Sequence, residues 1–101
     1  MQLRVQAWVM QPQFSVKYFP PFEILAQLVE ETGEIARELS DLHGHKKKKE
    51  GEITDGLACE IGDVLFVLCC LANSHDINLD DAFEKSIDKK YKRDQERFVK
   101  K

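Results

Sequence analysis

Two short acidic motifs hold the residues best able to do chemistry in this sequence. They read EETGE and EIGD, and residues three or four apart on a helix point to the same side. Glu31 therefore pairs with Glu34, and Glu60 pairs with Asp63. If two antiparallel helices bring these pairs together, the four carboxylates form an all-oxygen cage that requires hard divalent cations. Mg²⁺ is the usual cation when phosphates share such a site.

The alternative to a metal site is that these acidic residues are ordinary surface residues exposed to solvent. On their own, the acids of the first motif fit an exposed acidic helix face equally well. Glu60 and Asp63 differ, because they lead directly into the apolar run VLFVLCCLA, where unpaired carboxylates are costly. Gly33 and Gly62 lie inside the motifs and each weakens a helix by about 1 kcal/mol relative to alanine. We therefore expect a close approach to the backbone at both glycines.

Four helices must position these motifs, and no segment shows the alternation typical of a strand. Pro12 ends the first helix, Pro21 begins the second, and Asn78 caps the last. A loop at 43–51 separates the second helix from the third. The fold class is predicted to be all-α, with a four-helix-bundle-like arrangement. The expected helical ranges are 1–11, 22–42, 54–75 and 79–98.

The two central helices differ in how their apolar residues are distributed. The second helix has one apolar face, and its acids, Glu38 among them, occupy a separate arc. The third helix is apolar on every side in its middle, which predicts burial all round. The expected apolar face of the second helix consists of Leu25, Leu28, Thr32, Ile35 and Leu39.

Composition narrows the class of protein. The chain has 101 residues, and we expect one domain over residues 1–101. A net charge of −3 argues against binding nucleic acid or an anionic membrane. The longest apolar run is shorter than a membrane span, and no signal peptide is evident, so we expect a soluble, cytoplasmic protein. Cys59, Cys69 and Cys70 fit neither a disulfide framework nor a zinc site.

The double motif resembles the signature of the MazG family, whose members are all-α nucleoside triphosphate pyrophosphohydrolases. The family pattern is E-E-x-x-E followed by E-x-x-D, and the similarity extends over roughly residues 20–98. The resemblance implies a MazG-type fold and hydrolysis of an NTP or dNTP to the monophosphate and pyrophosphate. It further allows a role in clearing non-canonical nucleotides.

The resemblance also assigns roles to the acidic residues. It implies a Mg²⁺ site, with Mn²⁺ as a possible substitute, formed by Glu31, Glu34, Glu60 and Asp63. Glu30 would bind a second metal ion or orient the attacking water. Glu30 and Glu34 are the candidate catalytic residues, and the resemblance does not distinguish which of them is the base.

The last helix carries the candidate phosphate contacts. MazG proteins tend to have an Asn-x-Lys-aromatic element there, and this chain reads DKKY followed by Lys92 and Arg93. Lys90 and Arg93 are therefore candidate substrate-binding residues, whereas Asp88 departs from the family pattern. A solvated basic end that complements the helix dipole explains each of these cations equally well.

Several other residues have simpler explanations. Lys46–Lys49 is expected to be a solvated basic loop, with a lid over the triphosphate as the alternative. No histidine follows a glutamate in the Glu-x-x-His spacing of di-iron bundles. Five aromatic residues are expected to be core or interface anchors, and one or two of them could stack on a nucleobase. They are Trp8, Phe14, Tyr18, Phe19 and Phe22.

Three functions other than a MazG enzyme remain open from the sequence. They are a phosphoribosyl-ATP pyrophosphohydrolase-like enzyme, a carboxylate-bridged metal oxidase or storage bundle, and a non-catalytic metal-binding helical module. A chain of this size with an apolar central helix is expected to need a partner to cover it. We expect a homodimer, and the family resemblance allows a homotetramer. The preferred base, the choice of ribose or deoxyribose and the number of metal ions are not encoded in any pattern we identify.

Overall fold

The computed structural model describes residues 1–43 and 55–94, which contain four α-helices and no strand. This confirms the predicted all-α class. The predicted loop at 43–51 with Lys46–Lys49 falls largely outside the described residues, as does the predicted end of the last helix. The helices are α1 (Gln2–Val9), α2 (Pro21–His43), α3 (Asp55–Ser74) and α4 (Leu79–Asp94).

The ends of the helices follow from local chemistry. Pro21 is the first residue of α2, where the missing N–H of proline costs nothing. The α3 helix closes where the Ile77 N–H donates to the Ala72 carbonyl at 2.9 Å, with Asp76 left-handed at a φ of 54°. The side chain of Asn78 then accepts from the Asp81 N–H at 3.1 Å, which confirms the predicted cap of α4.

The α3 helix is the centre of the fold, since it packs against both α2 and α1. The buried apolar residues come from these three helices: Val9, Ile24, Val67, Cys69 and Ala72. All three cysteines are free, and burial raises the pKa of the Cys69 thiol, which keeps this side chain neutral in the core.

The inward side of α2 overlaps the predicted apolar face only in part, since Leu28 and Ile35 are half-buried. Its buried residues are Ile24 and Glu38, and Glu38 is only 8% exposed. Leu25 and Leu39 of the predicted face are instead 50% and 43% exposed. The prediction that the acidic residues of α2 all lie away from its buried side was therefore wrong. Periodicity showed which side of α2 is apolar, but packing against α3 uses a neighbouring side.

The α3 helix is also less covered than predicted. Ile61, Leu65 and Phe66 each remain more than a third exposed, so burial on every side is wrong for the single chain. By length and composition alone, this helix could cross a membrane. The chain is also extended, with a radius of gyration of 17.6 Å, whereas about 13 Å is usual for this length. An open apolar surface on α3 is the physical reason to expect a covering partner.

A polar clamp fastens α1 to the end of α3. The Gln2 amide donates to Asn73 Oδ1 at 2.9 Å, and its oxygen accepts from the Leu79 N–H at 2.7 Å. Asn73 Nδ2 donates in turn to the Gln2 carbonyl at 3.1 Å and to the Tyr18 hydroxyl at 3.2 Å. One part-buried asparagine thus joins α1, α3 and the segment between α1 and α2.

Replacing Asn73 by alanine should therefore loosen α1. The Asn73→Ala change removes three hydrogen bonds that each contribute about 1 kcal/mol, so we expect a loss of about 2–3 kcal/mol in the free energy of unfolding. Urea denaturation at fixed protein concentration measures this loss. The neighbouring Ser74→Ala change removes only solvent-exposed hydrogen bonds to Leu71 and His75, so it should cost less than about 1 kcal/mol. Equal effects of the two changes would contradict the clamp.

Candidate metal centre

Three carboxylates from two helices meet in a groove. One oxygen each of Glu31, Glu60 and Asp63 lies within 4.8 Å of the other two. Glu31 and Glu60 are partly buried, and Asp63 is exposed. We call these three residues the acidic cluster. The structure thus brings together three of the four predicted metal ligands.

The packing of α2 against α3 creates this cluster. Glu31 lies two turns after the buried Ile24, on the same inward side of α2. Glu60 and Asp63 lie one turn apart on α3, and Asp63 precedes the buried Val67 by one turn. The same apolar contacts that hold the helix pair together therefore hold the carboxylates side by side.

Glu34 and Glu30 border the cluster without joining it. The Glu34 carboxylate forms an ion pair with Arg37, with Nη2 and Oε2 2.5 Å apart. Glu30 is exposed on the adjacent side of α2. Both carboxylates add to the negative field at Glu31. Metal ligation by Glu34 and the catalytic roles of Glu30 and Glu34 remain predictions.

The electrostatics of the cluster are unfavourable without a cation. Desolvation raises the pKa of Glu31, and the charges of Asp63 and Glu60 raise it further. Among the described residues, no cationic side chain forms an ion pair with any of the three carboxylates. The fold therefore brings together negative charges that it does not itself neutralise.

A hard divalent cation fits this arrangement. The donors are all carboxylate oxygens, the ligand type that Mg²⁺ and Mn²⁺ favour. Oxygens around an octahedral Mg²⁺ lie about 3–4 Å apart, given metal–oxygen distances of about 2.1 Å. The three oxygens lie within 4.8 Å of one another, so small side-chain rotations would allow all three to bind one ion.

Neither burial of Asp63 nor close packing at the two glycines occurs in the described part of the single chain. Asp63 is exposed, so burial in an apolar interior does not explain its presence. A Cβ atom built on Gly33 or Gly62 would meet nothing within 4 Å, so no close approach to either glycine occurs among the described residues. The helical spacing of the acids remains the argument that the structure supports.

The basic residues of α4 lie elsewhere. Lys90 and Arg93 are both exposed near the end of α4, and Lys90 Nζ donates to Ser86 Oγ at 3.2 Å. Within the described residues, α4 has only slight contact with the helices that carry the cluster. Phosphate binding by Lys90 and Arg93 therefore remains a prediction.

The sequence indicated that one or two aromatic residues could stack on a base, but it did not predict that they line one cavity. An aromatic cavity of about 210 Å³ lies along the same two helices as the cluster, and Trp8, Phe14, Gln27 and Phe66 contribute to its wall. Gln27 lies one turn before Glu31 on α2, but a glutamine on a helix carries no distinctive signal. The burial of Glu38 was missed as well, because the predicted inward face of α2 was wrong.

Comparison with known proteins identifies the relatives of this chain. The sequence model of the MazG nucleotide pyrophosphohydrolase domain matches residues 19–98. The uncharacterised protein YpjD of Bacillus subtilis strain 168 is 47% identical over 89 residues, which are 88% of this chain and 80% of YpjD.

Two solved structures are similar to this fold. The crystal structure of Bacillus subtilis YpjD, described there as a candidate pyrophosphatase, has a TM-score of 0.75 and 45% identity over 87% of this chain and 88% of its own. The Bacillus-conserved MazG protein, a nucleotide pyrophosphohydrolase, has a TM-score of 0.74 and 38% identity. That match covers 88% of this chain and 83% of the other.

Repulsion in the cluster predicts the effect of neutralising Glu31. Since the folded state raises the pKa of Glu31, ionised Glu31 destabilises the fold at neutral pH, and this cost disappears as pH falls through the raised pKa. Glu31→Gln should therefore raise the thermal midpoint in EDTA at pH 7, and the gain should shrink towards pH 4. Glu84→Gln, an exposed change of equal charge on α4, should have little effect. A lower midpoint for Glu31→Gln would contradict the repulsion.

Proposed function

This chain belongs to the MazG nucleotide pyrophosphohydrolase family, and we propose that it hydrolyses nucleoside or deoxynucleoside triphosphates to the monophosphate and pyrophosphate with Mg²⁺. Mn²⁺ would substitute for Mg²⁺. The observation that supports the proposal most directly is the acidic cluster, in which Glu31, Glu60 and Asp63 converge. Clearing non-canonical nucleotides is the cellular role that we propose.

Charge explains why this site should require a cation to bind a triphosphate. An unneutralised cluster of carboxylates repels an anionic substrate, and the whole chain has a net charge of −3. Bound Mg²⁺ would neutralise the triphosphate, polarise the phosphorus centre and stabilise the leaving pyrophosphate. Glu31, Glu60 and Asp63 would hold the ion, and the rigid α2–α3 pair would fix their orientation.

Glu34 and Glu30 would complete the chemistry in different ways. Glu34 lies one turn after Glu31 and would become a ligand by exchanging its partner Arg37 for the metal ion. Glu30 is exposed and forms no ion pair among the described residues, which favours it as the acceptor of the proton from the attacking water. The water would then attack with its proton transferred to the Glu30 carboxylate.

A second copy of the chain would complete the molecule. We propose at least a homodimer, because Leu65 and its neighbours leave an open groove of about 310 Å³ along α1 and α3. Gly62 lies on this groove and would allow a partner helix to approach closely. The exposed Phe83 and Tyr91 of α4 offer a further apolar surface. Lys90 and Arg93 would reach a triphosphate across such a contact.

Contact with a second copy would also explain why α3 is so apolar, because the partner would cover its exposed side and no membrane would be needed. The helix carries Glu60 and Asp63, and charged side chains within a membrane span are costly. One side of the helix already packs against α1 and α2. We propose that the enzyme works in the cytoplasm, where its nucleotide substrates are found.

Pyrophosphate release tests the activity. We expect the purified chain to release pyrophosphate from at least one member of a panel of canonical and damaged NTPs and dNTPs, with Mg²⁺ and not with EDTA. Glu31→Gln and Asp63→Asn should each lower kcat/KM by about 100-fold or more, because several kcal/mol of charge stabilisation is lost with the ion.

Two controls make this experiment decisive. Glu84→Gln changes the charge equally on an exposed part of α4 and should retain wild-type activity. Circular dichroism should show the cluster variants folded. Full activity of either folded cluster variant would refute the proposed metal site, and activity on phosphoribosyl-ATP alone would assign a different substrate.

The oligomer is tested by light scattering after gel filtration. We expect wild type to have at least twice the mass of one chain. Leu65→Glu should shift the protein towards monomer. The new carboxylate would be buried in the contact between copies with no opposite charge to pair with it. Gln13→Glu, which adds the same charge in an exposed segment, should leave the mass unchanged. A monomeric wild-type chain would contradict the proposal.

A further inference from the structure

An aromatic cavity lies between the N-terminal segment and the α2–α3 pair, along the same two helices that carry the acidic cluster. Its volume is about 210 Å³, and its wall includes Trp8, Phe14, Tyr18, Gln27 and Phe66. The Trp8 ring lies 4.7 Å from the Phe14 ring, at 41°, and 5.5 Å from the Phe66 ring, almost perpendicular to it. Trp8 nevertheless remains 50% exposed, so it is not a filled core position.

The cavity and the cluster lie along the same pair of helices. Gln27 precedes Glu31 by four residues on α2, and Phe66 follows Asp63 by three on α3. At a rise of about 1.5 Å per residue, Phe66 and Gln27 lie about 4.5–6 Å along the helix axes from Asp63 and Glu31. A molecule whose phosphates lie at the cluster would therefore extend its other end into the cavity.

The wall has the chemistry to receive a flat heterocycle. Aromatic side chains provide stacking faces that accept any base. The Gln27 amide forms no hydrogen bond or ion pair among the described residues, so it can offer both a donor and an acceptor to the edge of a ring. An apolar cavity with a small number of polar groups is the usual form of a small-molecule site.

The wall is also held in place without a ligand. Tyr18 accepts a hydrogen bond from Asn73, which is bound in turn to Gln2 of α1. These contacts fix both the segment before α2 and the start of α1. The cavity is therefore built into the fold, and a ligand would not have to order it.

We propose that this cavity holds the nucleobase of the substrate, with Trp8 as its stacking residue and Gln27 at the edge of the base. The proposal rests on the proposed function, because the triphosphate at the cluster directs the base into the cavity. Substrate choice would then depend on the N-terminal wall, whereas cation binding would depend on α2 and α3.

Trp8 is the only tryptophan in the chain, so intrinsic fluorescence reports directly on this cavity. The probes are tripolyphosphate and α,β-methylene analogues of purine and pyrimidine nucleoside triphosphates, each with Mg²⁺. The analogues cannot be cleaved between the α- and β-phosphates. We expect at least one analogue to change Trp8 emission saturably, and tripolyphosphate to bind by calorimetry without changing it.

Variants test the same point without fluorescence. Trp8→Ala should weaken binding of the analogue by roughly 5- to 150-fold, the effect of losing one base-stacking contact. Binding of tripolyphosphate should stay at the wild-type level, which also shows that the variant is folded. Trp8→Phe should restore most of the affinity, and Gln27→Ala should alter the ranking of the bases.

The outcomes separate this proposal from the proposed function. If tripolyphosphate binds but no analogue changes Trp8 emission, and Trp8→Ala binds analogues as wild type does, the base site is wrong and the metal site stands. The base site is also wrong if Trp8 emission is that of a buried ring whether or not nucleotide is present. Trp8 would then pack against a second copy of the chain. If neither probe binds with Mg²⁺, both proposals fall.

Discussion

The convergence of three like-charged carboxylates is the constraint on which the rest of this structure depends. Glu31, Glu60 and Asp63 repel one another, and the described part of the chain supplies no cation to them. Only the packing of α2 against α3, through residues such as Ile24 and Val67, holds them together. The fold thus uses apolar contacts to maintain a charge arrangement that a bound divalent cation would make favourable.

This constraint explains why the inward side of α2 carries acidic residues. A helix in a small soluble protein ordinarily turns its most apolar side inward, yet here the inward side carries Glu31 and the buried Glu38. Leu25 and Val29 remain at least half exposed. One side of α2 therefore packs against α3 and forms the cluster, and another side is apolar and exposed to solvent. The single chain covers only the first of these sides.

The features that could be predicted from the sequence are those that depend on neighbouring residues. Pro21 and Asn78 marked helix starts, and the three-residue spacing of Glu60 and Asp63 placed both on one side of α3. Features that depend on which helices meet were not predictable in the same way. Periodicity identifies an apolar side without saying what covers it, so it did not predict that Leu25 and Leu39 would remain exposed in the single chain.

The aromatic cavity shows the same limit in a more instructive form. Trp8 and Phe66 are far apart in sequence, and only the approach of α1 to α3 brings their rings to 5.5 Å. The spacing of the acids therefore predicts a metal site, whereas no local pattern predicts that these aromatic residues line one pocket. This difference has a functional consequence. The cluster depends on two helices that cannot move without separating its carboxylates, but much of the cavity wall comes from α1 and the segment before α2, which contribute no residue to the cluster. If the cavity holds the base as we propose, changes in that wall would alter the choice of base while the acidic cluster keeps its geometry.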